Sequence, residues 1–117
     1  MKESIKVLQE CAELQDRKAK DYQNEKSRIR QADHYPRGCA TILDMVHQKI
    51  TRIYSVMEAM EFGQDPNFES LEDSAKDAIN YLSFFVSYSR SKMEGQDKDR
   101  DFLNKPMSKG KVNVESE

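Results

Sequence analysis

Three polar side chains between residues 73 and 80 have the spacing of a ligand site on one helix. Asp73, Asp77 and Asn80 recur at i, i+4 and i+7, so a helix places them within about 60° of one another. Two carboxylates one turn apart repel each other unless a cation lies between them. Hard divalent ions such as Mg²⁺ prefer oxygen ligands of this kind. The spacing therefore indicates either a metal site or a plain solvated face.

Aromatic residues share the side of the helix that carries these acids. Tyr81, Phe84 and Tyr88 lie on or beside it. The apolar arc on the opposite side of the same helix comprises Leu71, Ala75, Ala78, Ile79, Leu82, Phe85 and Val86. A helix with apolar and acidic-aromatic sides is expected to be covered on both. We therefore favour a functional or interface role for the acidic-aromatic side over simple exposure to solvent.

A basic residue interrupts the apolar stripe of the preceding helical segment. Lys49 falls in the middle of that stripe, and Arg52 follows on its flank. An ammonium among apolar side chains must reach water, lose its proton or meet a carboxylate. Two interpretations remain open: a structural ion pair with an acid of the third helix, or a phosphate clamp beside an acidic metal site.

Helical periodicity covers three segments, about 2–22, 39–62 and 68–93, and no strand pattern occurs. Ser70 is a candidate N-cap of the third segment. The connection 63–67 is short, so the second and third helices should be antiparallel neighbours. The longer, locally basic connection 23–38 has room for a helical turn. We predict an all-α bundle of three main antiparallel helices as one domain over 1–93, followed by a charged, disordered tail over 94–117.

Composition excludes several classes of protein. The 117 residues carry a net charge of -2, so no global basic field recruits nucleic acid, and direct nucleic-acid binding is not expected. No apolar run approaches the roughly 20 residues of a membrane span, and no signal-peptide core is present, which favours a cytoplasmic protein. Neither a P-loop nor a Rossmann motif occurs.

Cys39 opens the second helix, where the helix dipole would lower its pKa. A domain of this size buries only part of its surface, so we expect a dimer or higher homo-oligomer, formed by pairing the acidic-aromatic faces.

Three short islands together resemble the nucleotide modification associated domain 1 family, whose members are small helical proteins common in bacteriophages. The islands are Lys20-Asp21-Tyr22, then Gln48-Lys49-Ile50-Thr51-Arg52, then Glu72-Asp73 followed by Asp77-x-x-Asn80-Tyr81. The family's acidic helix is in turn similar to that of MazG-like all-α nucleoside triphosphate pyrophosphohydrolases, which hold Mg²⁺ with E-x-x-E and E-x-x-D. This sequence has no strict E-x-x-D on its third segment, and it has Lys49 and Arg52 where such enzymes have glutamates.

The resemblance implies a phage-type nucleotide-binding protein in the host cytoplasm. As a Mg²⁺-dependent pyrophosphohydrolase, it would hold the metal with Glu72, Asp73 and Asp77, which are then also the catalytic candidates. The other ligand-binding candidates are Lys49, Arg52, Lys20, Tyr22, Asn80 and Tyr81, with Arg28 and Arg30 as outer help. One alternative is a non-catalytic protein that sequesters a nucleotide or acts in host takeover or anti-defence. Another is an interaction module that binds a protein partner, such as a host protein, and no small ligand.

Overall fold

The computed structural model describes residues 2–21 and 27–107 and contains three long helices. Helix α1 spans Glu3–Asp21, α2 spans Cys39–Glu61 and α3 spans Phe68–Ser89, with a short 3-10 turn at Gln31–His34. The described residues form no strand, only one isolated bridge between Arg100 and Pro106. The predicted all-α fold with three main helices is confirmed. Within the described ranges, no helix has the length and apolarity needed to cross a membrane.

Helix α3 begins at Phe68, as its sequence pattern predicts, but its cap residue differs and it ends earlier than predicted. Its N-cap is Asn67, whose side chain accepts a hydrogen bond from the backbone N–H of Ser70 at 3.2 Å. The predicted cap, Ser70, therefore lies inside the first turn. The helix stops at Ser89 and not near residue 93, because Ser91 adopts a left-handed conformation with φ of 57°. The chain then turns back, and Met93 packs into the core.

Helices α2 and α3 form an antiparallel hairpin. The thiol of Cys39 donates to the carbonyl oxygen of Phe85 at 3.7 Å, while Lys49, further along α2, pairs with Asp77, earlier in α3. This register defines two ends of the hairpin. The closed end is where α2 begins and α3 finishes, and the turn end is where residues 62–67 join the two helices.

The buried core lies at the closed end. Tyr88 and Ile42 are the largest side chains that are fully buried there. Tyr81, Phe84 and Phe85 of α3 pack against this core. The aromatic residues of the predicted acidic-aromatic face therefore belong to the helix–helix contact and the core. The buried cluster consists of Ala32, Tyr35, Cys39, Ile42, Tyr88 and Met93.

Gly38 allows the chain to close this end tightly. Its φ of 56° is in the left-handed region, which favours glycine. A Cβ at this position would lie 2.6 Å from Cε1 of Tyr88 and closer still to the carbonyl oxygen of Phe102. The start of α2, the end of α3 and the segment that follows α3 thus meet around a position that has no room for a side chain.

The segment after α3 is part of the fold up to residue 107. The carbonyl oxygen of Phe102 accepts from the N–H of Cys39 at 2.9 Å, and that of Glu94 accepts from Ala32 at 3.0 Å. The side-chain amide of Asn104 donates to the carbonyl oxygen of Pro36 at 2.9 Å. The prediction of a disordered tail from residue 94 is therefore wrong for 94–107. The sequence did not indicate this contact, because the segment is held by backbone groups and has no periodic apolar face. Residues 108–117 lie outside the described residues.

The apolar arc predicted for α3 does not coincide with its buried side. Apart from Asn80, which meets α1, its buried positions are Ser74, Ala78 and Tyr88, and of these only Ala78 belongs to the arc. Leu82 and Val86 of the arc are about half exposed. The burial therefore lies about one residue step, or 100°, away from the centre of the apolar arc. The predicted oligomer, formed by pairing the acidic-aromatic faces, stays a prediction.

Helix α1 packs against α3 on the side that carries Asn80. The side-chain amide of Gln15 donates to Oδ1 of Asn80 at 3.0 Å and to Oγ of Ser83 at 2.8 Å. Glu10 pairs with Lys76 at 2.9 Å, and Cys11 is buried in the contact. Polar groups therefore set the position of α1 as much as apolar ones do.

Candidate functional site

A cleft of about 380 Å³ opens towards the turn end of the hairpin. Helix α2 contributes two cations to its walls, and α3 with its N-cap contributes carboxylate, amide and hydroxyl oxygens. The lining therefore combines both signs of charge with neutral hydrogen-bonding groups. The lining residues are Lys49, Arg52, Asn67, Glu69, Ser70, Asp73, Ser74 and Asp77.

Asp77 stands at the inner wall between two lysines. Its Oδ2 lies 3.1 Å from Nζ of Lys49, and its Oδ1 lies 3.4 Å from Nζ of Lys18 on α1. The side chains of Asp77 and Lys49 are 21% and 30% exposed, so the pair is partly screened from water. The structure thus forms the interhelical ion pair that was one of the two interpretations of Lys49. This carboxylate ties all three helices together.

Arg52 stands one turn further along α2, at the exposed mouth of the cleft. It has no acidic partner within 4.0 Å among the residues that the structure describes. Asp73 and Glu69 also line the cleft, and neither forms an ion pair with a described residue. The mouth therefore presents an unpaired guanidinium and two unpaired carboxylates to any ligand that enters.

The first turn of α3 supplies the neutral polar groups of the cleft. Asn67 is held by its cap hydrogen bond to Ser70, so its carboxamide has a fixed orientation. Ser70 is half-buried and Ser74 is buried. A helix N-terminus carries partial positive charge, which adds to the field of Arg52 and Lys49 at this end.

The predicted magnesium ligands do not form a metal-binding set in this structure. Asp77 is already engaged by two ammonium groups, which supply the positive charge that a metal would bring. Glu72 is exposed and absent from the cleft, and its charge acts on Lys76. Within the described ranges, no three acidic, histidine or cysteine side chains are close enough to hold an ion. The magnesium site therefore stays a prediction, and of its three acids Asp73 and Asp77 line the cleft.

Several other predicted ligand residues lie away from the cleft. Lys20 pairs with Asp16 on the exposed side of α1 at 3.2 Å. Asn80 is buried against Gln15, and Tyr81 packs edge-on against Phe84 beside the core.

Of the basic loop residues, Arg30 pairs with Asp33, and Arg28 is exposed outside the cleft. Tyr22 lies outside the described residues. The structure brings Lys49, Arg52, Asp73 and Asp77 together in the cleft.

Sequence reasoning missed two contributions to this region. The first is Lys18, which pairs with Asp77 although 59 residues separate them. The second is the group of Asn67, Glu69 and Ser70, which lines the cleft at the start of α3. An Asn directly after Pro66 is a strong cap signal, which locates the α3 N-terminus. No signal in the sequence alone indicates the contact of Lys18.

Both cysteines are buried thiols with no role in the cleft. Burial raises the pKa of Cys39, and burial is also the largest cause of the raised pKa of Cys11. The expected lowering of the Cys39 pKa by the helix dipole is therefore wrong, because desolvation of the thiolate outweighs it. Hydrogen bonding to Glu10 raises the pKa of Lys76, which stabilises the charged form in the α1–α3 contact.

Comparisons with known proteins give this site no precedent. No protein-family model matches the chain, and no curated protein or solved structure matches it at a significant level. The resemblance to the nucleotide modification associated domain 1 family therefore stays a prediction that rests on the three sequence islands.

Proposed function

We propose that this protein binds a phosphate-bearing nucleotide in the α2–α3 cleft without hydrolysing it. The observation that carries the proposal is Arg52, an unpaired guanidinium at the mouth of a cleft whose inner wall holds a second cation, Lys49. A guanidinium presents a planar fork of donors that matches phosphate oxygens. Its charge is therefore available to a ligand at no cost in broken ion pairs.

The two cations would act in different ways. Arg52 would take the phosphate oxygens directly, since no described carboxylate lies within 4.0 Å of it, although Asp73 and Glu69 line the same cleft. Lys49 is already held by Asp77 at 3.1 Å, so it would add a field and one further hydrogen bond without leaving its partner. The positive end of α3 lies along the same wall and favours the same ligand charge.

The remaining lining suits the other parts of a nucleotide. Carboxylates such as Asp73 and Glu69 accept hydrogen bonds from sugar hydroxyls or from amino groups of a base. Ser70 can donate or accept. The volume of about 380 Å³ falls within the roughly 300–1,000 Å³ of small-molecule sites. The sequence resemblance favours a nucleotide over other ligands that carry phosphate.

Binding without turnover fits the cleft better than hydrolysis does. A pyrophosphohydrolase must neutralise the transferred charge and activate a water molecule. Asp77 is occupied by Lys49 and Lys18, and Glu72 lies outside the cleft. The residues that the structure describes therefore offer cations that suit phosphate and no group of three acidic, histidine or cysteine side chains close enough to hold a metal. This favours the sequestering alternative over the Mg²⁺-dependent enzyme.

Titration calorimetry with the common ribo- and deoxyribonucleoside triphosphates, with and without Mg²⁺, tests the proposal. We expect at least one nucleotide to bind stoichiometrically without Mg²⁺, and Arg52→Gln to weaken it by about 10- to 100-fold, as expected for a hydrogen-bonded charge. Arg90→Gln is the matched control, because Arg90 is exposed at the opposite end of α3. Equal affinity of the Arg52 variant and wild type would place the ligand elsewhere. Release of pyrophosphate by the wild-type protein would contradict binding without hydrolysis and support the pyrophosphohydrolase alternative.

A further inference from the structure

The side of the hairpin opposite the cleft carries an exposed apolar face. Each of its core members follows directly after a residue at the α2–α3 contact: Leu43 after Ile42, Ile50 after Lys49, and Leu82 after Tyr81. One residue step is a rotation of about 100°. Because α2 and α3 are antiparallel, a step of one residue along either helix turns the side chain towards the same side of the hairpin. The exposed residues of α2 and α3 therefore share that side. Asp73 precedes the contact residue Ser74, which places the cleft on the other side.

The two helices present this face in matching register. Lys49 lies opposite Asp77, so Ile50 is about level with Ala75. One heptad away in either direction, Leu43 is about level with Leu82, and Met57 with Phe68. The spacing of seven on both helices is that of a seam that packs against other helices. We call this surface the apolar face; its exposed large members are Leu43, Ile50, Tyr54, Met57, Phe68, Leu82 and Val86.

We propose that the apolar face binds a second copy of this chain, so that two hairpins form a four-helix dimer. Its seven large members are between 39% and 66% exposed. At roughly 200 Å² for a whole large side chain, these fractions amount to about 700 Å² of exposed surface on apolar residues, close to the roughly 800 Å² that each partner gives to a stable interface. Exposed apolar patches on monomers rarely exceed a few hundred Å².

The face also suits contact with itself. A two-fold axis places the same patch on both partners, so charged side chains in the patch would meet like charges. The seven members carry no charge, and the acids on the same side, Glu61 seven residues after Tyr54 and Glu72 four after Phe68, both lie near the turn end. Two copies can therefore meet over the rest of the face without burying a charge. Since the cleft opens on the opposite side, dimerisation leaves Arg52 accessible. The proposal thus stands independently of the proposed nucleotide binding, and it replaces the expected pairing of the acidic-aromatic faces.

Sedimentation velocity over a concentration series tests the proposal. We expect the wild-type protein to sediment at twice its chain mass of 13.6 kDa. Ile50→Glu and Leu82→Glu each bury a charge in the interface and should raise the dimer dissociation constant at least about 100-fold. Ser55→Glu, which adds the same charge on an exposed part of α2 away from the face, is the control and should leave the dimer intact. Arg52→Gln should also dimerise as the wild type does, which separates this test from that of the cleft.

Several results would overturn the proposal. A wild-type monomer at about 100 µM, a concentration that populates even weak dimers, would do so. An unchanged dimer in both Glu variants would place the contact elsewhere. If the full chain is monomeric while a chain ending at Met107 dimerises, residues 108–117 cover the face instead. Circular dichroism checks that each variant keeps its helices, and Met57→Lys is a substitute where one does not fold.

Discussion

The two ends of the α2–α3 hairpin are built differently from the same pair of helices. At the closed end, Ile42 and Tyr88 are fully buried, and the backbone of residues 94–107 seals the gap between the helices. At the turn end, Phe62 and Phe68 are 81% and 64% exposed, and the helices meet across the mixed-charge cleft. The closed end holds the chain folded, and the turn end remains open to ligands.

The difference shows how a small chain divides its limited apolar surface. A core large enough to bury both ends would need more residues than a domain of this size supplies. The buried aromatic side chains lie at the closed end. Further along the hairpin, the ion pair between Lys49 and Asp77 joins the two helices. Charged contacts contribute less to stability than burial but tolerate water and a ligand. The candidate cleft therefore lies where the packing is weakest.

Removing the segment that seals the closed end should have the largest effect. A chain ending at Met93 loses the backbone acceptors from Phe102 and Glu94 and the amide of Gln96, which donates to Tyr88 at 2.8 Å. Each hydrogen bond contributes about 1 kcal/mol, so we expect a loss of about 3 kcal/mol. Urea unfolding measures it, with a chain ending at Met107 as the control. Equal midpoints for the two chains would mean that the segment does not stabilise the closed end.

Removing the charge of Asp77 should have an intermediate effect on stability, through the charged contact between α2 and α3. Asp77→Asn leaves Lys49 and Lys18 without their shared carboxylate, and we expect a loss of about 1–2 kcal/mol, between surface and buried pairs. Asp73→Asn is the matched control in the same cleft, since Asp73 forms no ion pair with a described residue. Thermal melting at low and high salt measures both. A more stable Asp77 variant would indicate a repulsive acidic cluster, as for a metal site.

The sequence predicted the elements of this fold better than their contacts. Periodicity located α2 to within a residue at each end, and the short turn correctly implied the antiparallel hairpin. The buried side of α3 was misplaced because apolar content alone does not distinguish a core from an exposed face. Tyr88 is buried although it lay on the acidic side, and Leu82 is exposed although it lay on the apolar arc.

The cleft was predictable in part for a related reason. The position of Lys49 within an apolar stripe indicates that it meets an acid, and its pairing with Asp77 agrees with that. The second lysine on this carboxylate comes from α1, across a long connection whose path the sequence does not determine. Without Lys18, two acids one turn apart resemble half of a metal site. With it, the positive charge comes from the protein itself.

The smallest effect should come from the buried thiol at the closed end. Burial raises the pKa of Cys39 in the folded protein, so the thiol stays protonated there while the unfolded chain ionises. A pKa raised by folding contributes stability that is complete below the unfolded pKa and is lost as pH rises above it. The stability should therefore fall as pH rises above about 8.5, the ordinary pKa of a thiol.

Burial also raises the pKa of Cys11, so the two thiols share the alkaline loss in this range. Cys39→Ala should therefore make the decline in stability above about pH 8.5 shallower than in the wild type, whatever its cost at neutral pH. The raised pKa values of Tyr88 and Lys76 act at higher pH, because their ordinary values lie near or above about 10. Urea midpoints at four pH values measure the slope. An unchanged slope in the variant would mean that water reaches the Cys39 thiol and that the closed end is more open than its packing indicates.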